Sequence, residues 1–121
     1  IYAAALLVEM LAVTGKSVSQ LYQEITDKYG MLYYEDAAFT MTQARKVELQ
    51  EKLFVKLEVP DFGNAVEKIN RTDGCKVYFK NDGWIICRFS GTEPLIRIFC
   101  EMETYNRAME ITGIVREFLG L

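Results

Sequence analysis

The apolar positions of this chain change period three times, and each change marks a different kind of element. From Ile1 to Val13 every residue but Glu9 is apolar, on all sides of a helical projection; the pattern predicts a helix buried on most sides, ended at Gly15. Ser17 and Gln20 then form a capping-box pair. Val18, Leu21, Tyr22, Ile25 and Tyr29 recur at helical spacing until Gly30, giving a second helix and a helical hairpin. Met31–Thr40 reads as an extended segment. Thr42 is placed to cap a helix over Gln43–Val55, with Ala44, Val47 and Phe54 toward one face. Pro60–Asn64 is a turn.

Beyond that turn the period falls to two. Ala65–Thr72 alternates loosely, with Val66 and Ile69 out of phase, and Asp73-Gly74 signals a turn. Cys75, Val77 and Phe79 alternate with Lys76, Tyr78 and Lys80. Asn81-Asp82-Gly83 reads as a three-residue hairpin loop with Gly83 in the left-handed position. That loop would set Lys80 opposite Trp84, Phe79 opposite Ile85, Val77 opposite Cys87 and Cys75 opposite Phe89. Ile86, Arg88 and Ser90 then lie on the other face. In Leu95–Met102 the apolar row is Ile96, Ile98, Cys100 and Met102, which leaves Arg97 and Glu101 on the opposite side. Thr104 caps a last helix marked by Tyr105, Ala108, Thr112, Val115 and Leu119. The sum is an α+β fold, a mostly antiparallel sheet with helices on one face and the other face partly open. The boundary between hairpin and domain falls near Gly30, dividing the chain into 1–30 and 31–121.

Composition narrows the chemistry. Of 121 residues, 50% are hydrophobic and 26% charged, a balance suited to a packed core. The net charge of −3 argues against nucleic acid or an anionic membrane as partner, since basic excess supplies most of that affinity. An RNA-binding sheet using Tyr78, Trp84 and Phe99 is disfavoured on the same ground. The chain has no histidine, which removes Ser-His and Cys-His catalysis, and its three cysteines form no CxxC pair that would suggest zinc. They read as buried thiols of a reducing, cytoplasmic protein. Ile1–Val13 is shorter than the roughly 20 residues needed to span a bilayer and lacks the basic lead of a signal peptide. Starting on Ile, it reads as part of something longer, and its exposed apolar surface predicts self-association through residues 1–13.

One run carries chemistry: Arg88-Phe89-Ser90-Gly91-Thr92-Glu93-Pro94-Leu95-Ile96-Arg97. Gly91, by tolerating positive φ, can turn successive amides inward to make an anion nest. Ser90 and Thr92 add hydroxyl donors, and Pro94 stiffens the exit. Arg88 and Arg97 flank the loop on one face, and a guanidinium fork suits phosphate oxygens. From residue types alone, an ordinary hairpin turn with two solvated arginines remains open as well.

The run RFSGTEPLIRIF, preceded by the Asp73-Gly74 turn and the strands CKVYF and GWIICRF, resembles the phosphate-binding loop in the last domain of the phosphoglucomutase/phosphomannomutase family. The opening segment to Gly30 resembles the final helices of the preceding domain. The resemblance implies a TATA-binding-protein-like C-terminal domain, about the last quarter of an isomerase that moves phosphate within a hexose phosphate (glucose or mannose 1- or 6-phosphate) through a bisphosphorylated sugar. It assigns Arg88, Ser90, Gly91, Thr92 and Arg97 to the substrate phosphate. Glu93, repelled by a dianion, is left to brace an arginine or meet a sugar hydroxyl. The family's phosphoserine loop (TASHNP), magnesium loop (DGDxDR) and sugar-recognition loop (GExSG) do not occur here. The resemblance therefore implies no catalytic residue and no metal in this chain, which would be inactive alone. Mg2+ and the upstream domains would complete the enzyme. A regulatory module that senses a metabolite phosphate would need only the loop and is the alternative.

Overall fold

The computed structural model describes all 121 residues, which separate into two compact units, Ile1–Met31 and Leu32–Leu121. The first is a hairpin of α1 (Tyr2–Thr14) and α2 (Val18–Tyr29), bent by 87°. Gly15 ends α1 in the left-handed conformation, its amide bonded to the Leu11 carbonyl at 2.9 Å. Ser17 and Gln20 form the reciprocal capping box. No residue of either helix is buried. The expectation that α1 is buried on most sides is therefore corrected: one neighbouring helix cannot cover a helix that is apolar all round. No single helix is long and apolar enough to cross a membrane.

The second unit is α+β. Strands β1 (Tyr33–Thr40), β2 (Val66–Asn70), β3 (Cys75–Phe79), β4 (Trp84–Phe89) and β5 (Leu95–Met102) form one antiparallel sheet in the order β1-β5-β4-β3-β2. Helix α3 (Gln43–Gln50) and helix α4 (Tyr105–Leu119) supply Leu49, Ala108, Ile111, Val115 and Leu119 to a core shared with Val77, Phe79, Ile85, Ile96, Ile98 and Met102. Every core strand residue lies on one face, so the helices cover that face and leave the other open. Phe62, from the turn before β2, meets Phe79 edge-on at 5.1 Å. A register shift between Val66 and Lys68 explains why Val66 and Ile69 fall out of phase.

Three local readings change. Helix α3 starts at its Thr42 cap as expected, but its buried side chains are Lys46 and Leu49, continued by Leu53, while Val47 is 55% exposed. Within Glu51–Val55 the winding loosens to a π turn, the Lys56 amide bonding the Glu51 carbonyl at 2.9 Å. Arg71 closes the end of that turn with bonds to the Leu53 and Leu57 carbonyls, each at 3.0 Å. In α4, Ile111 belongs to the buried face and Tyr105 does not.

The β3–β4 hairpin also slides. Tyr78 faces Trp84, Val77 faces Ile85 and Cys75 faces Cys87, two residues away from the expected partners. The Phe79 amide bonds the Gly83 carbonyl at 2.9 Å, and Asp82, not Gly83, takes the left-handed position at φ 65°. Gly83 is needed for a different reason. A Cβ there would stand 2.5 Å from Met102 Sδ and 3.1 Å from the Glu101 carbonyl. Asp tolerates the left-handed region better than most residues, so the loop moves back by one. Because the slip changes partners by two, every side chain keeps its face. Gly83→Ala is expected to destabilise the domain by about 1–3 kcal/mol, because Met102 is fully buried and has no free space to yield. A lowered urea midpoint with an unchanged slope would show it, and an unchanged midpoint would mean the core repacks at no cost.

Candidate functional site

The antiparallel ladder places Arg88 of β4 directly opposite Arg97 of β5, both on the open face. On the other flank Arg97 faces Ala38 of β1, whose short side chain leaves the guanidinium uncovered. Like charges directly opposed across a strand pair are unfavourable unless something neutralises them. Part of that neutralisation comes from Asp73, whose Oδ2 lies 3.2 Å from Arg88 Nη2. Both partners are largely exposed, so the pair adds little stability and leaves Arg88 free to exchange partners. Of the two roles expected for Glu93, bracing an arginine or meeting a sugar hydroxyl, the first is not made, since Glu93 forms no ion pair and the carboxylate beside Arg88 is that of Asp73.

A cleft of about 270 Å³ opens beside the pair, lined by Arg88, Phe89, Ser90, Gly91, Arg97 and Phe99. Thr92 and Glu93 sit in the same loop but do not line it. The loop is closed by the Ser90 amide on the Leu95 carbonyl at 3.0 Å, and the Met41 amide holds the Pro94 carbonyl at 2.8 Å. Ser90 Oγ receives long bonds from the Thr92 and Glu93 amides, at 3.4 and 3.3 Å. The Gly91 amide has no protein acceptor. Of the Ser90, Gly91 and Thr92 amides, then, the first is consumed by the sheet, the last is weakly held by a hydroxyl and that of Gly91 is free.

Gly91 does not adopt positive φ, so the conformational reason offered for it is corrected. A Cβ at Gly91 would meet nothing within 4 Å. The glycine instead leaves open space at the lip of the cleft.

Lys46, which no pattern in the sequence singled out, braces this loop. Only 8% exposed, it donates from Nζ to the Ser90 carbonyl at 2.7 Å and the Glu93 carbonyl at 3.3 Å. A lysine at a buried helical position is the one available signal, and it is visible only once the face of α3 is known.

On the same open face Trp84 Nε1 bonds Glu101 Oε2 at 2.9 Å while the Lys76 ammonium lies 3.8 Å from the Trp84 ring centroid. Tyr34 stacks on Phe99 at 6.2 Å. The ring of Trp84 is thereby already engaged on the sheet.

These features define a class: an α+β domain with a cationic cleft at one end of the open face of its sheet. The sequence profile of the phosphoglucomutase/phosphomannomutase C-terminal domain matches residues 40–117. A phosphoglucomutase/phosphomannomutase of Thermococcus kodakarensis is 37% identical over 106 residues, 88% of this chain and 21% of that protein. A probable phosphoglucosamine mutase of Methanosarcina acetivorans is 38% identical over 116 residues, covering 92% of this chain and 24% of its own length. The phosphoglucosamine mutase of Bacillus pumilus is 33% identical over 122 residues, 98% of this chain and 23% of its own. The chain belongs to the phosphoglucomutase/phosphomannomutase family. It spans between a fifth and a quarter of the length of these relatives.

Other chemistry finds little purchase. No group of three or more His, Cys, Asp or Glu side chains is gathered to hold a cation. Cys75, Cys87 and Cys100 are free and buried on the core face. Burial pushes the Cys100 thiol up to about 12, and it raises Cys75 and Cys87 as well. Raised values mean less thiolate at any pH near neutrality than an unfolded cysteine carries, and the thiolate is the reactive form. All three thiols are expected to react with a disulfide reagent at pH 8 only as fast as the chain unfolds. A rapid native-state reaction of even one, followed by absorbance, would contradict this.

Proposed function

We propose that this domain grips the phosphate of a hexose phosphate that is not reacting, while another part of a phosphohexomutase transfers the second one. The observation that carries the reading is the Arg88–Arg97 pair, two opposed guanidinium groups beside a loop with an unbonded Gly91 amide. A phosphate dianion there would relieve their repulsion and accept bidentate bonds from each fork. Such a cradle recognises the phosphate and ignores the ring. It therefore suits a reaction in which the sugar must bind in two orientations, once for each phosphate of a bisphosphorylated intermediate. Its role is positioning and charge neutralisation. Bond making would fall to a phosphoserine outside this chain. Magnesium would likewise be held elsewhere, since no ligand cluster in this chain fits it.

Residues 1–30 we assign to the domain that precedes this one in the full-length enzyme. The family profile begins only at residue 40, and α1 is apolar on all sides without a buried residue. In the isolated chain, copies are expected to associate through residues 1–13. Light scattering should show a mass above that of the monomer, reduced by Leu6→Lys. A monomer with protected α1 amides would refute the association.

Each charge-assisted bond contributes roughly 1.5–3 kcal/mol in a protected site, but an open cleft returns much of that to water. Binding of phosphate or glucose 1-phosphate to this chain is therefore expected near the millimolar level, about −4 kcal/mol. In an amide chemical-shift titration the Gly91 and Thr92 signals should move first, and Arg97→Ala should weaken binding about tenfold, the equivalent of roughly 1.4 kcal/mol. Amides that stay still at tens of millimolar phosphate would sink the reading.

A further inference from the structure

Lys46 is an unusual residue to find buried under a surface loop. It stands in the first turn of α3, where its own amide bonds the Thr42 carbonyl at 3.0 Å, and its ammonium ends among carbonyl oxygens. None of the ion pairs in the structure includes it. Two carbonyls satisfy donors but do not neutralise a charge, and an ammonium withdrawn from water is costly without a counter-charge.

The geometry of one peptide unit gives this lysine a consequence at the cleft. The Ser90 carbonyl and the Gly91 N–H belong to the same planar unit, and no peptide bond in the chain is cis. In a trans peptide those two groups point in opposite directions. Holding the Ser90 oxygen toward α3, on the core side, turns the Gly91 N–H away from the core, where it meets no protein acceptor. Gly91 lines the cleft with Arg88 and Arg97. We infer that Lys46 is a positioning residue: by fixing the Ser90–Gly91 peptide plane it aims the Gly91 amide at a bound phosphate, and its unneutralised charge strengthens the field there from behind the loop. This deepens the proposed phosphate site and rests on it.

The test uses inorganic phosphate with the chain, Lys46→Met and Lys46→Arg. In the parent chain, phosphate should shift the Gly91 amide downfield and slow its hydrogen exchange. Lys46→Met should raise the phosphate dissociation constant about tenfold and abolish the Gly91 shift at saturation, while the Arg97 Nε–H signal still responds. Lys46→Arg, which keeps donors and charge, should recover most of both effects. A Lys46→Met chain with native β3 and β4 shifts, undiminished affinity and the same Gly91 response would overturn the inference and leave the phosphate site standing. A parent chain in which nothing responds to phosphate would remove the site and this inference together. If Lys46→Met does not fold, the Lys46 Nζ–H resonance of the parent chain decides: it should exchange slowly and move on phosphate addition, and an unmoved resonance counts against the role.

Discussion

Two arginines face each other across an antiparallel strand pair, and much of the domain's surface chemistry depends on that arrangement. Directly opposed like charges are destabilising in a sheet. Here the cost is met partly by Asp73, which reaches Arg88 from the turn before β3. No carboxylate reaches Arg97, and its β1 neighbour is an alanine. A folded domain thus keeps an uncompensated cationic spot at one end of its open sheet face. Its net charge is negative, so this is a local field and not the general basicity that would attract nucleic acid.

Rigidity behind the pair matters as much as the charge. Arg88 and Arg97 project from strands whose reverse sides, Cys87, Ile96 and Ile98, are sealed into the core. The loop between them is tied at both ends by backbone bonds, Ser90 to Leu95 and Met41 to Pro94. Lys46 holds it from α3 below. Cationic side chains on fixed strands lose little freedom on meeting an anion beyond their own rotamers, which is the physical content of preorganisation. The same bonds limit the site. The sheet consumes the Ser90 amide, so Gly91 contributes the one donor of the loop backbone that is wholly unbonded.

Much of this was legible along the chain because strand patterning obeys a strict period of two. Cys75, Val77, Phe79, Ile85, Cys87 and the Ile96–Met102 row are assignable to the core from alternation alone, and so is the shared face of Arg88 and Arg97. A slip of two residues in the hairpin left those assignments intact. The slip itself was not legible, since Asn81-Asp82-Gly83 offers more than one residue for the left-handed position and Asp82 takes it, while the strand that leaves no room for a Cβ at Gly83 lies nineteen positions away in sequence. Caps were legible too: Ser17, Thr42 and Thr104 each accept the amide three residues on. Helix α3 was harder. Lys46 occupies a position that hydrophobicity alone marks as outward, and the π turn then changes the helical phase over Glu51–Val55.

By itself the sequence determined most of the elements, the buried faces of β3, β4 and β5 and the family, because those depend on local dihedral preference, on the alternation of side chains and on a contiguous loop motif. Tertiary structure alone decided which residue faces which: Arg88 against Arg97, Asp73 against Arg88, Lys46 beneath Ser90. Partners of that kind are joined by strand register and helix rotation. Both are settled by steric fit between segments distant in the chain, and such fit leaves no periodic trace in either segment.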